Sequence, residues 1–333
     1  MAGFQRAAPQ QAALKMGLYG AQGSGKTFTA LLVAEGLAKL SGKKIAFVDT
    51  ERGTDFYAQK IKDRRVHPEG FVFDALYSRS LVDVLNAVRE LKPEEYGVIV
   101  LDSVTHLWEA AKASYAGKLT AQGGIPLQAW SQIKRPYKQL MAALLSSPMH
   151  VLILGRQGLE MADDDDGEVK VVGYKMKAEG ETAYEPHILI RMEQQRHGKQ
   201  QAEATIRAIV EKDRSGVLAG KMIEWPNYEL LAAPLIPYLG KQQAKIESED
   251  DAGARDAVVL AEEEKQKVDT SAETVREMLA RISLSKSAAD LDIINKAMTP
   301  EVKKAMTTAD VAAVRESWLE AAKKFPKEKG AKK

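Results

Sequence analysis

The sequence predicts an α/β protein with a mainly parallel central sheet, followed by a small helical module. Three observations predict it. The first is the stretch Gly20-Ala21-Gln22-Gly23-Ser24-Gly25-Lys26-Thr27, set between the apolar entry Lys15 to Tyr19 and an Ala- and Leu-rich run from Phe28 to Leu40. Together they form a strand–loop–helix unit. The second is a set of short apolar runs, 43–51, 97–103 and 150–157, that end in acidic or polar residues. Strands buried on both faces of a parallel sheet read this way. The third is a change of character after about residue 240, where charge rises and helical periodicity then takes over.

The glycine-rich stretch fits G-x-x-x-x-G-K-[ST], a phosphate-binding loop. Its glycines let backbone N–H groups turn inward around phosphate oxygens, and the following helix adds its partial positive charge. Residues Gly20, Ala21, Gln22, Gly23, Ser24, Gly25, Lys26, Thr27 and Phe28 are the expected nucleotide contacts. Lys26 reaches the β- and γ-phosphates, and Thr27 is a ligand of Mg²⁺. The expected cofactors are therefore ATP and Mg²⁺.

Two further runs supply acids. Lys43 to Glu51 is a strand with Asp49 and Glu51 at its carboxyl end, where ligands sit in α/β sheets. Gly97-Val98-Ile99-Val100-Leu101-Asp102-Ser103 has the pattern of a Walker B strand, and places Asp102 as the second Mg²⁺ ligand, through water. Phe71-Val72-Phe73 is a possible short strand. Leu81, Val84, Leu85 and Val88 share a helical face, as do Ile133, Tyr137, Leu140, Met141 and Leu144, with Pro136 starting or kinking the second helix. His150 to Leu154 is another buried strand, and Gly155-Arg156-Gln157 follows at the same edge. Met161 to Gly173, with four consecutive aspartates at 163–166, reads as a mobile acidic loop. Residues 185–192 and 204–210 are strands of an antiparallel hairpin, and Lys212-Asp213-Arg214 follows it.

Composition narrows the function classes. The 333-residue chain has 48 basic and 46 acidic residues, a net charge of +2, so no global field commits it to nucleic acid or membrane. It contains no cysteine, which excludes disulfides and thiolate metal sites. Its five histidines form no metal-binding pair. No apolar leader or membrane-length run is present, so the expectation is a cytoplasmic protein without a membrane partner.

The expected organisation is an N-terminal arm (1–14), an ATPase core (15–238), an acidic linker (239–270), a helical module (271–325) and a basic tail (326–333). Residues 241–270 carry five basic and nine acidic residues with few large apolar ones, allowing one weak helix over 255–267. Beyond them, Val275, Met278, Leu279 and Ile282, then Leu291, Ile294 and Met298, then Val311, Val314 and Trp318 mark three amphipathic helices.

No NKxD or LSGGQ-type sequence is present, and Asp102 is followed by Ser103 rather than Glu. With Glu51 on a different strand as the candidate water-activating base, the chain resembles the RecA branch of P-loop ATPases. The stretches VDTERG (48–53), DSVTHLW (102–108), SPMHVLI (147–153) and KDR (212–214) are similar, in order, to core-only RecA/RadA-like ATPases of phages, of the single-strand annealing or recombination type. The resemblance covers about residues 4–235. It implies a RecA-like core with Glu51 as catalytic base, Gln157 linking the γ-phosphate to a DNA-binding loop, and Lys212 and Arg214 reaching a neighbour's nucleotide. It implies assembly into a ring or filament, with Phe4 and Ala7 resembling an F-x-x-A anchor, and single-stranded DNA as partner in the host cytoplasm. DNA contact would rest on Lys170, Lys175 and Lys177, with Trp108, Trp130, Lys134, Arg135 and Lys138 as further candidates. The alternative is a nucleotide switch or loader that acts on protein partners through 271–325 without binding DNA.

Overall fold

The computed structural model describes residues 13–115, 117–121, 123–163, 168–197, 203–240 and 249–325. The chain divides into two compact units, 1–247 and 248–333.

The first unit is an α/β sandwich of layers. Its strands are β1 (Lys15–Gly20), β2 (Lys44–Asp49), β3 (Asp74–Tyr77), β4 (Tyr96–Asp102), β5 (His150–Asp163), β6 (Val169–Met176), β7 (Ile188–His197), β8 (Glu203–Asp213) and β9 (Met222–Glu224). Its helices are α1 (Lys26–Ser41), α2 (Asp55–Ala58), α3 (Leu81–Glu90), α4 (Val104–Ala113), α5 (Trp130–Ser146) and α6 (Tyr228–Leu231). The sheet order is β3-β2-β4-β5-β1-β7-β8-β9. All pairs from β3 to β7 are parallel, while β8 and β9 add antiparallel.

Alternation within the strands explains the layers. Met16 and Leu18 of β1, with Val98 and Val100 of β4, pack beneath α1. Tyr19, Ile99 and Leu101 point the other way, onto α3, α4 and α5. Both faces are thus apolar, which is why these strands read as continuous hydrophobic runs.

Several boundaries differ from the sequence reading. The third strand is Asp74–Tyr77, just after the Phe71–Phe73 run. Phe71 instead buries its ring in the core, edge-on to Phe28. Pro136 lies inside α5 rather than at its start. The expected acidic loop is a ribbon: β5 continues to Asp163 and pairs antiparallel with β6, Gln157 opposite Met176. Val169, Val171, Val172 and Tyr174 have high strand propensity, which favours this pairing. Residues 164–167 lie outside the described set, as do Phe4 and Ala7.

The second unit holds α7 (Glu249–Ser283), α8 (Ala288–Ala297), α9 (Pro300–Ala305) and α10 (Thr308–Ala322). α7 runs through residues that the sequence reading gave to a linker. Ala, Glu and Lys are frequent there, and they sustain a helix where no apolar stripe marks one. Met278, Ile282, Leu291, Ile294, Met306 and Val314 form a common core. Ser287 and Asp290 make a reciprocal capping box that starts α8. Among the described residues, no helix is long and apolar enough to cross a membrane.

Candidate active site

The chain leaves β1 at Gly20, between β5 and β7, at the carboxyl edge of the parallel strands. A β-carbon on Gly20 would lie 2.2 Å from the Met192 carbonyl oxygen, so only glycine fits there. Gly25 caps α1 with φ +85°, a left-handed conformation that favours glycine. The β7–β8 hairpin extends past the loop, and Ile206 packs where a Gly25 side chain would be.

Lys26 opens α1. Its ammonium donates to the carbonyls of Gly20 (3.1 Å) and Ala21 (2.9 Å), so it is folded over its own loop. Burial lowers its pKa, and the charges of Asp102 and Glu51 oppose that shift. Ser24 Oγ is buried with no hydrogen-bond partner among the described residues. Such an orphan calls for an external partner. A glycine-rich loop at a helix N-terminus, with an orphan hydroxyl and an ammonium held over it, fits the phosphate chain of a nucleotide.

The Thr27 hydroxyl donates to Asp102 Oδ2 at 2.5 Å. Asp102 is buried, and burial pushes its carboxyl up to about 6, against the Thr27 hydrogen bond. Hydroxyl and carboxylate oxygens are the donors Mg²⁺ accepts when phosphate and water complete its shell. A bound Mg²⁺ would neutralise phosphate charge and stabilise the Asp102 carboxylate. Among the described residues, no group of three or more His, Asp or Glu forms a metal cage. This pair is therefore suited to sharing a metal with nucleotide, and not to holding one alone.

Glu51 reaches the same edge because Asp49 shapes the turn before it. Asp49 Oδ1 accepts the backbone N–H of Glu51 (2.8 Å) and Arg52 (2.7 Å), and Oδ2 accepts the Thr54 hydroxyl (2.5 Å). Arg52 adopts φ +58° in this turn. Asp49 is fully engaged as a structural acceptor. Glu51 is half-exposed, with Oε1 near Ser103 Oγ (3.4 Å), His106 Nδ1 (3.8 Å) and Arg156 (3.0 Å). A carboxylate at this position can take a proton from water attacking the terminal phosphate.

Lys26, Thr27, Asp102 and Glu51 thus converge. Gln157 stands just beyond Arg156, the residue paired with Gly20, so it too lies at this edge, where the β5–β6 ribbon leaves the sheet. Lys212 and Arg214 do not join them. β8 runs antiparallel, and Lys212 pairs with Leu189 at the start of β7. Leu189 in turn pairs with Gly17, three residues short of Gly20, and the Arg214 N–H donates to His187, whose own N–H donates to Lys15. The two residues thus lie toward the amino edge, about 10 Å and 17 Å along the strands from Gly20. Both side chains converge on the carbonyl of Tyr184, Arg214 at 2.9 Å.

Sequence reasoning missed Ser103, His106 and Arg156 as parts of the site. The Thr50 hydroxyl lies 2.9 Å from His106 Nδ1 and accepts the Ser103 N–H at 2.8 Å, tying β2 to β4. Arg156 carried a signal, a basic residue ending a strand beside the loop. Trp108, by contrast, is buried against Tyr137 and Trp130 in the core, where no nucleic-acid base can stack on it.

Residues 12–214 match the family described as AAA domain. No match was found among the curated proteins. Among solved structures, the chain is similar to the KaiC-like protein PH0186 from the hyperthermophilic archaeon Pyrococcus horikoshii OT3. The identity is 16% and the TM-score 0.41, over 64% of this chain and 85% of that one. The family match spans more than half of the sequence and contains Lys26, Glu51, Asp102, Gln157 and both basic residues of the KDR stretch, so the chain belongs to the AAA domain family of P-loop ATPases.

Proposed function

We propose that this protein hydrolyses ATP to ADP and phosphate as a RecA-like multimer that binds single-stranded DNA and promotes annealing or recombination. The observation that carries the chemistry is the convergence of Lys26, the Thr27–Asp102 pair and Glu51 on one loop. Lys26 and the loop amides stabilise charge on the phosphates, Thr27 and Asp102 hold Mg²⁺, and Glu51 orients and deprotonates water.

The multimer rests on the sequence resemblance, which gives Lys212 and Arg214 a role at a neighbour's nucleotide. They lie toward the amino edge, about 10 Å and 17 Å along the strands from Gly20 of their own chain. The DNA assignment rests on the sequence resemblance and on Lys170 and Lys175 along the β5–β6 ribbon, which leaves the sheet beside the nucleotide loop. Lys134 and Lys177 are each paired with a carboxylate, Glu179 and Glu109, at 2.7 Å.

The experiment is the ATPase rate with and without single- and double-stranded DNA across a salt series. The reading expects stimulation by single strands that weakens as salt rises. No response at any salt removes the DNA role and favours a nucleotide switch acting on proteins. Leu284, Ile293 and Leu319, exposed on the helical unit, favour that second reading.

A further inference from the structure

The Glu51 carboxylate is held through one oxygen. Arg156 donates to Oε1 from both Nε (3.1 Å) and Nη2 (3.0 Å), Ser103 Oγ lies 3.4 Å from the same atom, and His106 Nδ1 lies 3.8 Å from it. A guanidinium that meets a carboxylate freely takes both oxygens in a fork. Here Oε2 makes no hydrogen bond among the described residues.

Two of the groups on Oε1 come from one helical turn. Ser103 is the N-cap of α4, and His106 lies in its first turn. That turn is anchored, because Val104 and Leu107 are buried in the core beneath it and Thr105 Oγ1 accepts the Arg156 N–H at 2.9 Å. The backbone entering Glu51 is fixed as well. Thr50 is buried, its N–H donates to the Asp102 carbonyl (2.8 Å), its hydroxyl oxygen accepts the Ser103 N–H (2.8 Å), and its carbonyl accepts from Arg79 Nε (2.6 Å).

The ring of His106 completes this frame. It is 11% exposed, and burial, followed by the charge of Arg156, lowers its pKa, so it is neutral at pH 7. A neutral imidazole has one N–H to place. Nδ1 faces the Thr50 hydroxyl oxygen at 2.9 Å, with the Glu51 carboxylate beside it. The Thr50 hydroxyl can direct its own proton to the Asp102 carbonyl, 3.2 Å away, and the negative charge next to Nδ1 favours the tautomer protonated there. That N–H holds Thr50 and presents its positive end to Oε1.

We propose that His106, with Ser103, is a positioning residue for Glu51: the two hold Oε1, so that Oε2 is the atom that takes the proton from water. In that step the water O–H bond breaks, its oxygen bonds to the terminal phosphorus, the bond from phosphorus to the ADP oxygen breaks, and Oε2 later returns the proton to solvent. A base misplaced by an ångström loses rate on the order of 10²-fold, so a rigid hold on one oxygen has a direct effect on turnover. This rests on the reading of Glu51 as the base of an ATPase.

The test uses the full chain with Mg²⁺. Affinity for a non-hydrolysable ATP analogue and single-turnover phosphate release are measured for His106→Phe, His106→Asn and Ser103→Ala, each alone and combined with Glu51→Gln. Phe keeps a ring without an N–H, and Asn restores an N–H near the Nδ1 position. The expected analogue affinity is within about twofold of wild type throughout, which also shows that the variants are folded. Phosphate release should slow by about tenfold or more in His106→Phe and by about threefold or more in Ser103→Ala, with partial recovery in His106→Asn. Added to Glu51→Gln, none of them should slow release further, because a group that acts through the base has nothing left to position. If His106→Phe slows Glu51→Gln by the same factor as it slows wild type, His106 acts apart from Glu51 and the assignment is wrong. Wild-type rates in both His106→Phe and Ser103→Ala also overturn it. Should His106→Phe not bind the analogue, His106→Asn and Ser103→Ala carry the same comparison. If wild type releases no phosphate, or Glu51→Gln matches wild type, the ATPase or base reading has failed and takes the proposal with it, a result distinct from additivity.

Discussion

The two edges of the central sheet use similar residues to opposite ends. At the amino edge, Lys15 is 1% exposed and its ammonium donates to three carbonyls, those of Leu144, Ser147 and Met149. It closes the last turn of α5, where helical carbonyls lack partners. His150 Nδ1 and His187 Nδ1 accept the backbone N–H groups of Leu14 and Lys15. Burial pushes both imidazoles down to about 4, so they stay neutral in these roles. At the carboxyl edge, Ser24 Oγ has no partner among the described residues, Lys26 rests on loop carbonyls, and Glu51 and Arg156 share an exposed contact. A lysine satisfied on every side holds a fold together. A lysine and a carboxylate with loose intrachain partners are available to a ligand.

Lys26→Ala breaks the comparison where it matters most. Removing one preorganised charge from a phosphate site costs on the order of 10²–10³ in rate. The variant should stay folded and lose that much turnover, measured as phosphate release against an unchanged thermal melt. Lys15→Met should do the reverse. Three buried carbonyls lose their donor, which destabilises by about 1–3 kcal/mol or more. Urea unfolding should show the shift, while turnover per folded molecule stays the same. A Lys15→Met protein with normal stability and poor turnover would show that the two edges are not separate in function.

The smallest effect concerns the histidines. Their folded pKa lies below the unfolded value, so the unfolded chain takes up protons first. The stability they contribute is lost as pH falls from about 6.5 toward 4, at no more than about 1.4 kcal/mol per pH unit for each imidazole. Asp102, raised to about 6, acts with the opposite sign below that pH, so global melting mixes the two. Proton NMR of the imidazoles separates them. The His150 and His187 signals should not move between pH 7 and 5.5, and a midpoint near 6.5 for either would contradict the buried, neutral assignment.

Much of the carboxyl edge was legible in the sequence because its chemistry is local. Gly20 to Thr27 is one contiguous motif, and Asp102 and Glu51 each end a hydrophobic strand. What was not legible depends on strand order. Arg156 faces Glu51 only because β5 inserts between β1 and β4, a fact that no spacing along the chain contains. The same holds for Lys212 and Arg214, whose place toward the amino edge follows from the antiparallel turn into β8. Lys15 was hidden for another reason, since its partners lie at the end of α5, more than a hundred residues away in sequence. The β5–β6 ribbon was obscured by its acids. Charge suggested a loop, while Val169, Val171 and Val172 on the β6 side favoured the pairing.

The central claim is that the carboxyl edge hydrolyses ATP with Glu51 as its base. The direct measurement is phosphate release and ATP binding, side by side, for wild type and Glu51→Gln with Mg²⁺. A carboxamide keeps the shape and cannot take the proton, and loss of a general base lowers rates by about 10²–10⁴. The account predicts that Glu51→Gln binds ATP as wild type does and releases phosphate at least a hundredfold more slowly. Phosphate release by Glu51→Gln at the wild-type rate would contradict it.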